Sequence, residues 1–96
     1  MKKLTVVATI TAKPGYEQAV EAALLALIEP SRHDEGFIQY DLHRELDKPN
    51  VFVFYENWAS KDLLDKHLQS PHLADYQRKV DGMIASWDLK LMEQIG

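Results

Sequence analysis

The sequence predicts an α+β fold, with one four-stranded antiparallel sheet covered on a single face by helices. Three observations predict it. Stretches rich in β-branched and aromatic residues alternate with period two, and between them apolar residues recur at spacings of three and four. The order of these stretches is β-α-β-β-α-β. The second and third strands are separated by the turn Asp47-Lys48-Pro49-Asn50, which makes them a hairpin. The economical layering of that order is ferredoxin-like, and it leaves the other sheet face without helices.

Each element has its own signals. From Leu4 to Ala12, Leu4, Val6, Ala8 and Ile10 fall on one face and Thr5, Val7, Thr9 and Thr11 on the other. A charged, apolar start of this kind could be a signal peptide, but its alternating threonines and the turn Lys13-Pro14-Gly15 favour a first strand. From Tyr16, a stripe of Ala19, Val20, Ala23, Leu24, Leu27 and Ile28 predicts a helix that Pro30 kinks or interrupts, with Gly36 as a C-terminal cap. Phe37 to Arg44 is the second strand. In the third, Val51 to Trp58, the residues Phe52, Phe54, Glu56 and Trp58 share one face, and Val53, Tyr55 and Asn57 the other. Ser60 caps a helix whose Leu63, Leu64, His67 and Leu68 form an apolar stripe. Ser70-Pro71 restarts a helix carrying Leu73, Tyr76, Val80 and then Met83 or Ile84, with Gly82 weakening its last turn. Trp87, Leu89 and Leu91 alternate with Asp88 and Lys90 as a fourth strand.

The 96 residues make a single domain, long enough for a modest core. Without cysteine there is no thiol catalysis, no thiolate-bound metal and no disulfide, which fits a reducing cytoplasm. A formal charge of −4 with mixed signs argues against nucleic acid as a partner. No apolar run approaches the roughly 20 residues of a membrane helix. The helix-free sheet face, with Val53 and Tyr55, reads as too apolar for open water. A twofold homodimer packing sheet on sheet would cover it, with Trp87, Leu89 and Leu91 of the last strand reaching the partner.

Chemistry-bearing residues concentrate between Glu56 and His72. Glu56 lies on a strand among apolar and aromatic neighbours, where desolvation raises a carboxyl pKa and suits it to proton transfer. The bland alternative is a structural glutamate bonded to backbone or to His67. His67 titrates near neutrality and lies on an apolar stripe, as either a general base or a satisfied core histidine. His72, at a helix start, reads as a structural or rim residue, and His33 and His43 as solvent- or partner-facing. A metal site needs three converging ligands. The interval from His67 to His72 is not one helix face and Pro71 intervenes, so the sequence argues against one.

The segments TVVATITAKPG, EGFIQYDL, FVFYENWAS and HLQSPHL resemble the antibiotic biosynthesis monooxygenase domain, the quinol monooxygenase-like group, over nearly the whole chain. Most specific is the E-x-W-x-S strand end followed by H-x-x-S-x-H. The resemblance implies a dimeric α+β barrel of two ferredoxin-like halves, each with a pocket between sheet and helices. Its members are chemically mixed. Some oxidise phenols with dioxygen and neither metal nor flavin, others degrade heme, and others isomerise a phosphorylated quorum signal. Trp58 matches the pocket tryptophan of the cofactor-free oxygenases, whereas Phe54 stands where they carry a strand asparagine. Heme-degrading relatives have a tryptophan where His67 stands and an iron-binding histidine where Gln77 stands, which counts against heme. Tyr55, Glu56, His67, Pro71 and His72 match the isomerases, for which only Arg44, Lys66 and Arg78 offer positive charge to a phosphate.

The expected function is therefore a cofactor-independent monooxygenase of small quinol-type aromatics. His67 would take the phenolic proton, oriented by Glu56. Trp58, Phe54, Phe52, His72 and Tyr76 would surround the substrate, with no metal and no cofactor. The alternatives are a small-hydroxyketone isomerase and a non-catalytic binding module for a small organic molecule.

Overall fold

A computed structural model of the chain describes residues 3–96. Its elements are β1 (Leu4–Ala12), α1 (Glu17–Leu25), α2 (Ile28–Ser31), β2 (Phe37–Arg44), β3 (Val51–Trp58), α3 (Lys61–Leu68), α4 (Pro71–Lys79) and β4 (Ile84–Met92). The strands form one antiparallel sheet in the order β2-β3-β1-β4, which is the ferredoxin-like arrangement. Among the described residues, no helix is long and apolar enough to cross a membrane.

The first helical region breaks where proline chemistry puts the break. Pro30 has no N–H for the Ala26 carbonyl, and its ring would crowd that turn. Accordingly α1 ends at Leu25, and the proline sits in the first turn of α2, where an N–H would be unpaired in any case. Ser60 and Ser70 cap α3 and α4, accepting from the backbone N–H of Leu63 (3.2 Å) and Leu73 (3.4 Å), and Pro71 occupies the first position of α4. The expected continuation of this last helix through Met83 does not occur. The helix stops at Lys79, Gly82 takes φ +80°, and β4 begins at Ile84, earlier than Trp87. A left-handed glycine reverses the chain there and frees Ile84 to pair with Ala12.

Register decides what faces the helices. Val6 of β1, Glu56 of β3 and Tyr40 of β2 lie side by side, as do Ala8, Phe54 and Leu42. Val6, Ala8, Tyr40, Leu42 and Phe54, with Phe52 and Trp58, meet Val20, Leu24, Leu27, Leu64 and Leu73 from the helices in one core, and Glu56 is buried on the same face. The expected inward face of β3 is therefore the observed one.

The opposite face is more polar than Val53 and Tyr55 alone imply. Thr5 Oγ1 donates to Asn57 Oδ1 (2.6 Å), Asn57 Nδ2 to Gln39 Oε1 (2.8 Å), and Gln39 Nε2 to Asp41 Oδ2 (2.9 Å). This ladder crosses three strands, and Arg32 closes it on Asp41 at 3.2 Å. Tyr55 and Met92 remain exposed beside it.

Gly36 is fixed by two separate constraints. Its φ is +85°, and a Cβ there would lie 2.6 Å from Cβ and Cδ1 of Leu63. Gly15 shares the positive φ (+91°) but has open space around it. Gly15→Ala is expected to cost about 1–2 kcal/mol of conformational strain. Gly36→Ala should cost at least about 1 kcal/mol more, since α3 must move. Urea midpoints of the two variants check this; equal shifts would mean that the α3 contact gives way freely.

Candidate active site

Beneath α3 and α4 the covered sheet face carries a cluster of rings. Trp58 is fully buried, and its ring lies 4.4 Å from that of His67. Tyr40 stacks on Phe54 at 4.4 Å and meets the His67 ring edge-on at 5.3 Å. His67 is 2% exposed, on the apolar stripe of α3 where spacing put it. Its imidazole therefore packs like an aromatic residue while keeping two ring nitrogens for polar work.

Glu56 does not orient His67. Its Oε1 accepts from the Trp58 indole Nε1 at 2.9 Å, because residues two apart on a strand share a face. His67 is held instead by Asp34, which lies after α2 in the turn before Gly36. His67 Nδ1 lies 2.8 Å from Asp34 Oδ2, and His72 Nε2 lies 2.8 Å from the same oxygen. A carboxylate only accepts, so each histidine presents an N–H to it. In a neutral imidazole so held, the other ring nitrogen, His67 Nε2 or His72 Nδ1, is a bare acceptor. The Asp34 backbone is anchored on both sides, its N–H on the Ser31 carbonyl (3.1 Å) and its carbonyl under the Phe37 N–H (3.2 Å). Lys66 of α3 reaches Glu35 at 2.8 Å and ties the same turn to the helix.

The spacing argument that set His67 and His72 apart does not survive folding. The Ser70 cap lets α4 turn back, and both imidazoles converge on Asp34. Oxygen and nitrogen atoms of the three residues lie within 4.8 Å of one another. No local pattern marks Asp34; it is 33 residues from its first partner and 38 from its second.

Electrostatics separate the groups. Burial pushes the Glu56 carboxyl up to about 7, against the opposing indole hydrogen bond. Burial, and then the charge of Glu56, push the Tyr40 phenol well above its ordinary value. Burial holds His67 below its ordinary value, outweighing Asp34, which favours the neutral imidazole.

The predicted substrate contacts divide into two groups. Phe52, Phe54 and Trp58 are at most 2% exposed and pack in the core. His72 and Tyr76 instead line a cleft of about 190 Å³ between α4 and the α1–α2 region, with Ala23, Leu27, Pro30 and Lys79. His33 and His43 lie at the surface, as expected; His33 pairs with Glu29 at 3.0 Å. Arg44, Lys66 and Arg78 are ion-paired with Glu21, Glu35 and Asp75 respectively.

The model of the family described as "Antibiotic biosynthesis monooxygenase" matches residues 3–79. The chain belongs to this family. It is 32% identical over 81 residues to Rv0793 of Mycobacterium tuberculosis, covering 84% of this chain and 79% of that one. It is 27% identical to a protein of Escherichia coli K12 named "Probable quinol monooxygenase YgiN", covering 94% of this chain and 96% of the relative. A relative from Synechocystis, the uncharacterized protein sll1783, is 30% identical over 82 residues, and the match spans 56% of its length. The crystal structure of PA3566 from Pseudomonas aeruginosa superposes with a TM-score of 0.95 at 31% identity, over 100% of this chain and 97% of that one. The monooxygenase family thus carries the inferred fold, and the His67–Asp34–His72 cluster sits on it between sheet and helices.

Proposed function

We propose that this chain is a cofactor-independent monooxygenase of single-ring, electron-rich aromatics of the quinol class. The observation that carries the proposal is the carboxylate-bridged imidazole pair at the edge of an aromatic-walled interior. A bare imidazole nitrogen takes a phenolic proton, and Asp34 stabilises the imidazolium that forms. His72 is the member of the pair that lines the cleft, with His67 buried behind it. The phenolate is then electron-rich enough to reduce dioxygen directly. The balance closes without an external reductant: a hydroquinone and dioxygen give a hydroxyquinone and water. At about 190 Å³ the cleft is smaller than the roughly 300–1,000 Å³ of drug-sized pockets, which limits the substrate to about one ring.

The test is oxygen uptake by chelator-treated protein with a panel of hydroquinones, using isotopically labelled dioxygen. One labelled atom should enter the product. No uptake above background from folded protein would remove this reading. An isomerase reading has the sequence match in its favour, and turnover under strict anaerobiosis would support it. Against it, the three basic side chains it would use for a phosphate are each occupied by a carboxylate.

We also propose the twofold dimer. On the helix-free face Tyr55 and Met92 are 38% and 43% exposed; Trp87 and Leu91, in register with Ile10 and Val6, lie on the other side of edge strand β4 and are still 70% and 45% exposed, so a partner would reach them around that edge. Val53→Asp is expected to separate the chains and to lower the stability of each. Sedimentation of the unaltered protein as a folded 11.0 kDa monomer at micromolar concentration would refute the pairing.

A further inference from the structure

We propose that Asp34, His67 and His72 form a binding site for a divalent transition metal, Zn²⁺ being the probe, and that occupancy switches off the imidazole base. The proposal deepens the monooxygenase reading, since inhibition presupposes that activity; metal binding itself does not.

The donor set and its spacing carry the inference. Two imidazoles and one carboxylate suit zinc, and three protein ligands leave a coordination position open. At metal–ligand distances of about 2.0–2.1 Å, neighbouring ligand atoms stand about 2.9 Å apart at right angles and about 3.3 Å apart in a tetrahedron. Asp34 Oδ2 is 2.8 Å from both His67 Nδ1 and His72 Nε2, and all three ligand atoms lie within 4.8 Å of one another, so the oxygen must back away by a few tenths of an ångström and the two imidazole nitrogens close by at most about 1.5 Å to take a metal. The groups come prearranged: the Asp34 backbone is anchored on both sides, and the His67 ring is wedged against Trp58 and Tyr40. The cleft beside His72 supplies an entry path.

Binding would invert the base. A metal on His67 Nδ1 and His72 Nε2 displaces the two protons now shared with Asp34. A neutral imidazole ligated at one nitrogen carries its proton on the other, so His67 Nε2 and His72 Nδ1 become N–H groups. Neither can then accept a phenolic proton. Binding therefore redistributes the two imidazole protons without releasing them.

The experiment is equilibrium dialysis of the chelator-stripped full chain against Zn²⁺, without substrate, with ¹⁵N–¹H spectra of the histidine rings. One zinc per chain is expected, with the rings of His67 and His72 changing tautomer and those of His33 and His43 unmoved. Asp34→Ala and His72→Ala should each weaken binding by at least about 100-fold, and His33→Ala should bind as the unaltered protein does. If Asp34→Ala fails to fold, the ring tautomers of the unaltered protein decide the question alone. Zinc held equally well by Asp34→Ala, or zinc that leaves the His67 and His72 tautomers unchanged, would overturn the site. Oxygen uptake is a separate arm: in active protein, saturating zinc should remove at least nine-tenths of it. Uptake undiminished by a bound zinc would overturn the switch while leaving the site.

Discussion

Replacing Asp34 with alanine is expected to lower kcat for the quinol reaction by about 10²–10⁴-fold with little change in KM. The carboxylate has two separable tasks. It fixes which nitrogen of each imidazole is bare, and its charge stabilises the imidazolium formed when a phenolic proton arrives. Alanine removes both. Asparagine can still accept an N–H through its carbonyl oxygen, so it preserves orientation and removes only the charge. Asp34→Asn should therefore lie between the unaltered protein and Asp34→Ala. Alanine also leaves the buried His67 N–H without its acceptor, at a stability cost of about 1–3 kcal/mol. Steady-state kinetics beside a urea titration separate the two effects. A kcat loss that tracks unfolding, or a kcat unchanged in folded protein, would show that Asp34 does not act through the imidazoles.

Asp34 differs from the other elements of the fold and site in having no local signal in the chain. The strands, caps and inward face of β3 were legible because they rest on local physics: period-two alternation, serine caps, and glycine or proline at turns. The burial of His67 is legible because one helical stripe carries an imidazole among leucines. Asp34 offered no such signal. It sits in the polar loop Ser31-Arg32-His33-Asp34, where an aspartate is ordinary, and becomes a partner only when α3 and α4 close over the loop. The burial of Glu56 is legible and its partner is not, for a related reason. Burial follows from alternation along its own strand, but the direction of a carboxylate is set by the nearest donor. Here that donor is Trp58, two residues on. At Met83 the helical spacing is present, but the left-handed Gly82 before it outweighs that spacing.

Glu56 supplies the second large effect, a loss of stability as pH rises through neutrality. Its folded pKa, about 7, lies above the ordinary 4.5 because burial disfavours the charged carboxylate. Between those values the folded state holds a proton that the unfolded state has lost, so unfolding free energy must fall with rising pH. The penalty is absent below about 4.5 and complete above about 7, and a shift of this size corresponds to about 3 kcal/mol. Of the groups facing the carboxyl, the Trp58 indole donates a hydrogen bond that opposes the shift without overcoming burial, and the Tyr40 phenol carries no charge in this range. His67 acts in the opposite sense at lower pH, since burial resists its protonation. The two are separated by difference. Glu56→Gln keeps an oxygen for the indole and cannot ionise, so subtracting its pH profile from that of the unaltered protein leaves the Glu56 contribution. Chemical denaturation at pH 5, 6, 7 and 8 should show the variant gaining about 2–3 kcal/mol on the unaltered protein from the first pH to the last. Parallel profiles would mean that the Glu56 carboxyl is as well solvated in the folded chain as in the unfolded one.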